Sequence, residues 1–408
     1  MEMFTVATKE SVKTLLEEEF EFYQNDMEEV NLFESRGRIL AEDIYSDENI
    51  PNFIRSTVDG YAVIMEDIVG CSDSMPAFLT LIGEAKMGEK NIKSLKNGET
   101  MYVPTGGMLP ENADAMVMIE FSEKMEDEVA IYRPASIREN IVGIGDDVKF
   151  GEKVLESGIE ILPNHIGALA AIGKAKVQVR KKLNVAILST GDEVISIDDK
   201  PNIGEVRDVN SFEIGAMLQQ LGCNISVLKH IKDDFDCLKC GFEEALSKAD
   251  VVIISGGSSV GNHDQTPDII NEIGNPGVLV HGIAIKPGKP TIIAKIGDKA
   301  VFGLPGHPAS CLISYKVIVE PFLKNMLMKA ENKVKTCIAE SNFQVHVSSG
   351  RDVFYMVQLE KANGKLIANP VHGKSGMVSL FSKADGYIEI PMSKEGLEKG
   401  ERVEVNLF

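Results

Sequence analysis

An apolar run that empties into glycines constrains this chain more than any other feature: Asp250-Val-Val-Ile-Ile-Ser-Gly-Gly-Ser-Ser-Val-Gly261, with Asp264 three residues beyond it. An unbroken Val/Ile stretch suits a strand buried on both faces inside a parallel sheet. The glycines that follow free backbone N–H groups to face an anion. A helix expected over 267–273 adds its positive N-terminal end. The combination reads as a phosphate site with a carboxylate placed for a metal.

The same texture recurs around it. From Leu183 onward strands are expected over 184–188, 225–231, 251–255, 278–285, 291–296 and 300–304, with helices over 211–221, 235–248 and 309–326. Asn210 reads as the cap of the 211–221 helix and Gly222 as its stop. Apolar strands alternating with helices imply a doubly wound, mostly parallel α/β sheet covered on both faces. Earlier, helical spacing appears over 10–22, 31–44 and 163–173. Between these lie short alternating runs at 78–82, 101–103, 115–119 and 129–132, separated by Gly, Pro, Asn and Asp, which is the pattern of a β-rich unit. After Lys335 short strands return, with Asn363-Gly364 as a hairpin turn.

Composition narrows the function. The 408 residues suit two to four domains, and 44% hydrophobic content supplies real cores. A net charge of −20 argues against a general nucleic-acid binder and makes local Lys and Arg conspicuous. No apolar run is long enough to span a membrane, and the acidic N-terminus precedes no apolar leader, so a cytoplasmic protein is expected. The six cysteines are scattered, which disfavours a disulfide framework. Cys237-Leu-Lys-Cys240 has metal or redox spacing but no second pair, and reads as two thiols on an amphipathic helix.

In open parallel sheets ligands bind beyond the carboxyl ends of the strands. Three strand exits carry polar or kinked loops: Leu188-Ser-Thr-Gly-Asp-Glu193, Ser255-Gly256-Gly257-Ser258-Ser259-Val-Gly261, and Leu304-Pro305-Gly306-His307-Pro308. Together they offer amides for phosphate and the acids Asp192, Glu193 and Asp264 for a hard cation; each alone is also ordinary turn chemistry. Mg²⁺ needs few carboxylates, since it keeps waters and phosphate oxygens. Of Asp233-Asp234, one is expected to cap the next helix and the other to face the cleft. Lys286-Pro-Gly-Lys289 sets two ammonium groups on a rigid turn, either for an anionic ligand or as a solvated loop. Asp59 stands beside Gly60, where backbone can approach a ligand, and Thr105 opens the glycine-rich loop Pro104-Thr-Gly-Gly107; an ordinary turn is the alternative for both. His263 and His307 sit inside candidate ligand loops. No phosphate loop of the ATPase type and no Ser-His-Asp spacing occurs.

At these residues the chain resembles the MoeA family of molybdopterin molybdenumtransferases, which includes the E domain of gephyrin. The matching pieces run in family order: Ser56-Thr-Val-Asp-Gly-Tyr-Ala62, Pro104-Thr-Gly-Gly with Pro110 and Ala113-Asp-Ala115, Ser189-Thr-Gly-Asp-Glu193, Ser255-Gly-Gly-Ser-Ser-Val-Gly261 with Asp264, Lys286-Pro-Gly-Lys-Pro290, Leu304-Pro-Gly-His-Pro308, and Ser375-Gly-Met with Ala384-Asp-Gly386. Each is modestly specific, whereas the ordered set is highly specific.

The resemblance implies a multidomain homodimer. Its parts would be an N-terminal helical linker domain over 1–46 and 147–180, an inserted β-rich domain over 47–146, a molybdopterin-binding α/β domain over 181–328, and a small C-terminal β-barrel over 329–408. The implied reaction inserts molybdate into adenylylated molybdopterin, with Mg²⁺-assisted hydrolysis of the pyrophosphate link and release of AMP. Glu193, Asp233 and Asp264 would be the acids around metal and pyrophosphate, Glu193 and Asp264 as metal ligands. Asp59 and Thr105 would act from the β-rich domain of the partner subunit. Lys286 and Lys289 would bind the anionic substrate, and the glycine-rich loop its phosphates. Pro305 and Pro308 would shape the cleft, and Arg351 and Ser375 would act from the C-terminal domain. His307 stands where the family often has Asn. The stretch 140–147 lacks the arginines common there. Competing expectations are a molybdopterin adenylyltransferase and a pterin-binding carrier or scaffold without turnover. Tungstate could replace molybdate, and other cofactor-biosynthesis proteins could be partners.

Overall fold

The structure, a computed structural model, describes residues 6–20, 26–256, 265–327, 335–347, 350–362, 364–373 and 383–408. The chain divides into two compact units. One comprises Glu42–Ser157 with Pro163–Lys176, and the other comprises Met1–Ala41, Gly158–Leu162 and Val177–Phe408.

The larger unit holds the expected α/β sheet. Its strands lie in the order 224–231, 184–190, 251–255, 299–304, 292–296, 276–281. The first four are mutually parallel, 292–296 runs antiparallel to both its neighbours, and 276–281 at the edge points the same way as the first four. Alternate residues feed two cores. Val185, Ile187, Val251 and Ile253 join one, while Ala186, Leu188, Val252 and Ile254 join the other. Burial on both faces is why these strands read as continuous apolar runs. The helices Asn210–Leu221, Phe235–Lys248 and Thr266–Ile273 pack against this sheet. Gly222 stops the first of them in the left-handed conformation, as expected.

Five strands, Thr336–Ser341, Asp352–Ala362, Lys365–Pro370, Gly386–Ile390 and Arg402–Leu407, pair in a closed ring around Val357, Ile388, Val403 and Val405, so the C-terminal part is a small barrel. The turn expected at Asn363-Gly364 joins two of these strands, which pair up to Ala362↔Lys365; Asn363 itself lies outside the described residues.

In the other unit a six-stranded sheet carries the short runs seen in sequence, in the order 115–118, 60–63, 99–103, 77–84, 128–131, 122–125. Tyr61, Val63 and Val117 fill a core on one face, and Ala62, Met101 and Met116 a second core on the other.

Three expectations are corrected. Residues 31–44 form no α-helix. Met27–Asn31 is a strand, Leu32–Ser35 a single 3₁₀ turn, and the chain beyond is extended, with Gly37 at φ +74°. Its backbone bonds go to Ile159, Ile161 and Gln178, so long-range pairing overrides local spacing. The run 278–285 is two strands. Pro276–His281 pairs within the α/β sheet and Ile285–Lys286 pairs with Asp352–Val353 of the barrel, the break falling at Gly282 with φ +103°. The helix over 309–326 carries a π turn at Tyr315–Val319, just where Pro321 removes the N–H that would bond to the Val317 carbonyl. Among the described residues, no helix is long and apolar enough to cross a membrane.

Candidate functional site

Parallel register brings the strand exits together. Ser189 lies beside Ser255, and Ser255 beside Leu304. Gly256 has φ +96°, and a Cβ there would sit 2.2 Å from the Thr190 carbonyl oxygen. Its N–H donates to the Leu304 carbonyl at 3.2 Å, and a Cβ on Gly306 would sit 3.7 Å from its Cα. Only glycine fits where three chain segments cross so closely. Asn210 locks the crossing. Its amide N–H groups donate to Ser255 Oγ at 2.6 Å and to the Gly306 carbonyl at 2.9 Å. The three exits therefore share one edge, as the sequence suggested. Gly257, Ser258, Ser259, Gly261, His263 and Asp264 lie outside the described residues.

Asn210 is a correction in detail, since it is not the expected cap. Asp208 takes that role by accepting the Ser211 N–H at 3.0 Å, which leaves the Asn210 amide to span the exits. Sequence reasoning could not see this, because its partners are 45 and 96 positions away. Around it Thr190 Oγ1, Asn210 Oδ1, Ser211 Oγ and Glu213 Oε2 are buried without a hydrogen-bond partner. Unsatisfied polar atoms are costly, and their gathering at one sheet edge marks a site rather than a packing core. Glu213 was missed as well. Burial pushes its carboxyl up to about 7. Burial also raises the neighbouring Cys311 thiol, and the charges of Glu213 and Asp208 add to that.

Among the acids expected here, Glu193 is exposed, with its carboxylate folded back over Gly191. Asp234 caps the helix Phe235–Lys248 by accepting the Cys237 N–H at 3.0 Å, which leaves Asp233 as the candidate of that pair. The same Asp234 side chain raises the Cys237 thiol. Cys237 and Cys240 are exposed on that helix, as the plain reading held. Among the described residues, no group of three or more His, Cys, Asp or Glu is gathered to hold a metal. Glu193 and Asp233 supply hard carboxylate oxygens of the kind Mg²⁺ takes one or two at a time, so the donor set is compatible with an ion held chiefly by phosphate and water.

The basic turn is tied to the barrel. Ile285 and Lys286 pair with Asp352 and Val353, and the Asp352 N–H donates to the Ala284 carbonyl at 3.0 Å. In this parallel register Arg351 falls beside Ala284, just ahead of the strand that leads into the Lys286–Lys289 turn. Lys286 and Lys289 are exposed, and neither forms an ion pair with a described residue. Pro305 is buried, Gly306 and His307 are exposed, and Pro308 starts the following helix. Ser375 lies outside the described residues.

In the β-rich unit, Asp59 and Thr105 meet: Asp59 Oδ1 accepts the Thr105 N–H at 2.9 Å. Gly60 has a structural cause, because a Cβ there would fall 2.0 Å from the Val117 carbonyl oxygen of the adjacent strand. Ser56 and Asp114 also hold backbone, through Val58 and Met65. The ligand approach expected at Gly60 is thus a strand contact.

Sequence models of successive MoeA regions match this chain: the MoeA N-terminal region (domain I and II) over 6–173, a region described as "Probable molybdopterin binding domain" over 186–325, and the MoeA C-terminal region (domain IV) over 339–408. The molybdopterin molybdenumtransferase of Bacillus subtilis is 32% identical over 393 residues, spanning 94% of this chain and 90% of that protein. That of Staphylococcus aureus strain COL is 32% identical over 381 residues, spanning 93% and 90%. A solved MoeA molybdopterin biosynthesis protein of Pyrococcus horikoshii superposes with a TM-score of 0.86 at 38% identity over 99% of both chains. Fold, site edge and matches together define a multidomain protein built around a molybdopterin-binding α/β domain. The chain belongs to the MoeA family.

Proposed function

We propose that this protein is a molybdopterin molybdenumtransferase, which inserts molybdate into adenylylated molybdopterin during molybdenum cofactor biosynthesis. The observation that carries the reading is the convergence of Gly256, Gly306 and Asn210 at one sheet edge, within a chain that matches the family from end to end.

Each group has a role that its chemistry supports. Backbone amides at the glycine-rich exit receive the pyrophosphate. Lys286, Lys289 and Arg351 are cations in a chain of net charge −20 and bind the oxyanion. Glu193 and Asp264 would hold Mg²⁺, with Asp233 as a further acid beside the metal and pyrophosphate. When bound, Mg²⁺ neutralises charge on the pyrophosphate oxygens. Water attacks phosphorus, the bridging P–O bond breaks, and AMP leaves as the dithiolene keeps the metal. Pro305 and Pro308 stiffen the exit. Asp59 fixes the Thr105 loop in the β-rich domain, and Ser375 contributes from the barrel. We assign the protomer to a cytoplasmic homodimer, with tungstate as a competing oxyanion.

AMP release from adenylylated molybdopterin, with and without molybdate, tests this. Molybdate-dependent release, lowered roughly a hundred-fold by Glu193→Gln, is expected. Tight substrate binding without AMP would instead make the protein a carrier, and consumption of ATP with pyrophosphate release would make it an adenylyltransferase.

A further inference from the structure

The turn that carries Lys286 and Lys289 is held from beneath by two hydroxyls. Thr291 and Ser314 are both fully buried. Thr291 Oγ1 donates to the Gly288 carbonyl at 2.7 Å and lies 2.8 Å from Ser314 Oγ. A threonine hydroxyl has one proton. Since that proton is committed to the carbonyl, Ser314 must donate to Thr291, and the relay has one direction: Ser314 to Thr291 to Gly288. Gly288 has φ +118°, and a Cβ there would sit 2.6 Å from Ser314 Oγ. The relay therefore occupies the space of a side chain and requires the glycine.

The consequence falls on the next amide. The Gly288–Lys289 peptide is not among the cis bonds of the chain, so its carbonyl and N–H point in opposite directions. With the carbonyl drawn inward onto Thr291, the Lys289 N–H is turned outward, on the exposed side where both lysines stand. That N–H has no backbone or side-chain acceptor among the described residues, although the Lys289 carbonyl accepts from Ile283 at 2.8 Å. Ser314 ends the helix Pro308–Ser314, which begins at the Leu304-Pro-Gly-His-Pro308 exit. One short, buried helix thus links the strand exit to the basic turn.

We propose that the main-chain N–H of Lys289 is a ligand for the tetrahedral oxyanion, and that Thr291, through Ser314, is the positioning residue that aims it. This rests on the reading of Lys286 and Lys289 as the anion-binding pair. Released from Thr291, the peptide could rotate and present the Gly288 carbonyl oxygen to the anion, replacing an attraction with a repulsion.

The test uses the full chain labelled with ¹⁵N-lysine and titrated with molybdate, together with calorimetric binding. The Lys289 amide resonance is expected to shift on saturation. Thr291→Val, which keeps shape but loses the hydroxyl, is expected to weaken molybdate binding roughly ten-fold and abolish that shift. Thr291→Ser should restore both, and in Thr291→Val the KM for molybdate should rise far more than kcat falls. A Lys289 amide that stays still while the wild-type protein binds molybdate overturns the proposal, as does wild-type affinity in Thr291→Val. Lys289→Ala separates the two readings. If it weakens binding while Thr291→Val does not, the anion site stands and the aimed amide fails. If neither alters binding, both fail. Should Thr291→Val be unstable, the wild-type titration of the Lys289 amide, which needs no variant, still decides the proposal.

Discussion

At the scale of single residues, Glu213 is the group whose behaviour the fold changes most. Its carboxyl is raised from 4.5 to about 7 by burial alone. Between those pH values the folded protein keeps a proton that the unfolded chain gives up, so stability falls as pH rises through that window and stays lowered above it. The shift corresponds to a penalty of up to about 3 kcal/mol at pH 8. Glu213→Gln, which stays neutral, should therefore stabilise the protein at pH 8 and change it little at pH 5, as read by urea unfolding at both values. An equal effect at both would mean that Glu213 is ionised throughout. Glu213 and Asp208 both act on the buried Cys311 thiol, so a neutral Glu213 keeps a second carboxylate charge away from it.

At the scale of elements, ends matter more than middles. The helix Phe235–Lys248 is held at its start by Asp234 and buries Leu238, Phe242 and Ala245 against the sheet. Asp234→Ala should cost about 1 kcal/mol, the usual worth of such a cap, without loss of AMP release. Asp233→Ala should do the reverse, lowering turnover at nearly constant stability. Equal losses of turnover from the two would erase the division of labour between them. The strand exits follow the same rule. Their middles are interchangeable Val and Ile, whereas Gly256 is fixed by a crossing with no room for a Cβ and Asn210 by the two hydrogen bonds it donates.

At the scale of the whole molecule, the proposed homodimer predicts a sedimentation mass of twice 44.5 kDa. A single-protomer mass across the micromolar range would leave Asp59 and Thr105 without the partner subunit that the family resemblance assigns them.

Much of this was legible in the chain before any coordinates. Strands 251–255 and 184–188, the helix over 235–248, and the three polar exits follow from apolar runs, caps and glycines, which are local signals tied to backbone geometry. The family motifs were legible for the same reason, since each is short and contiguous. What only the tertiary structure decided involves partners far apart in sequence. The extended path of residues 31–44, the split of 278–285 between two sheets, the Asn210 bridge and the Thr291–Ser314 relay all depend on hydrogen bonds to segments that periodicity cannot anticipate. Glu213 is the same case in electrostatic form. An acid in the first turn of a helix is ordinary, and only the burial of that turn at the sheet edge turns it into a proton-holding group.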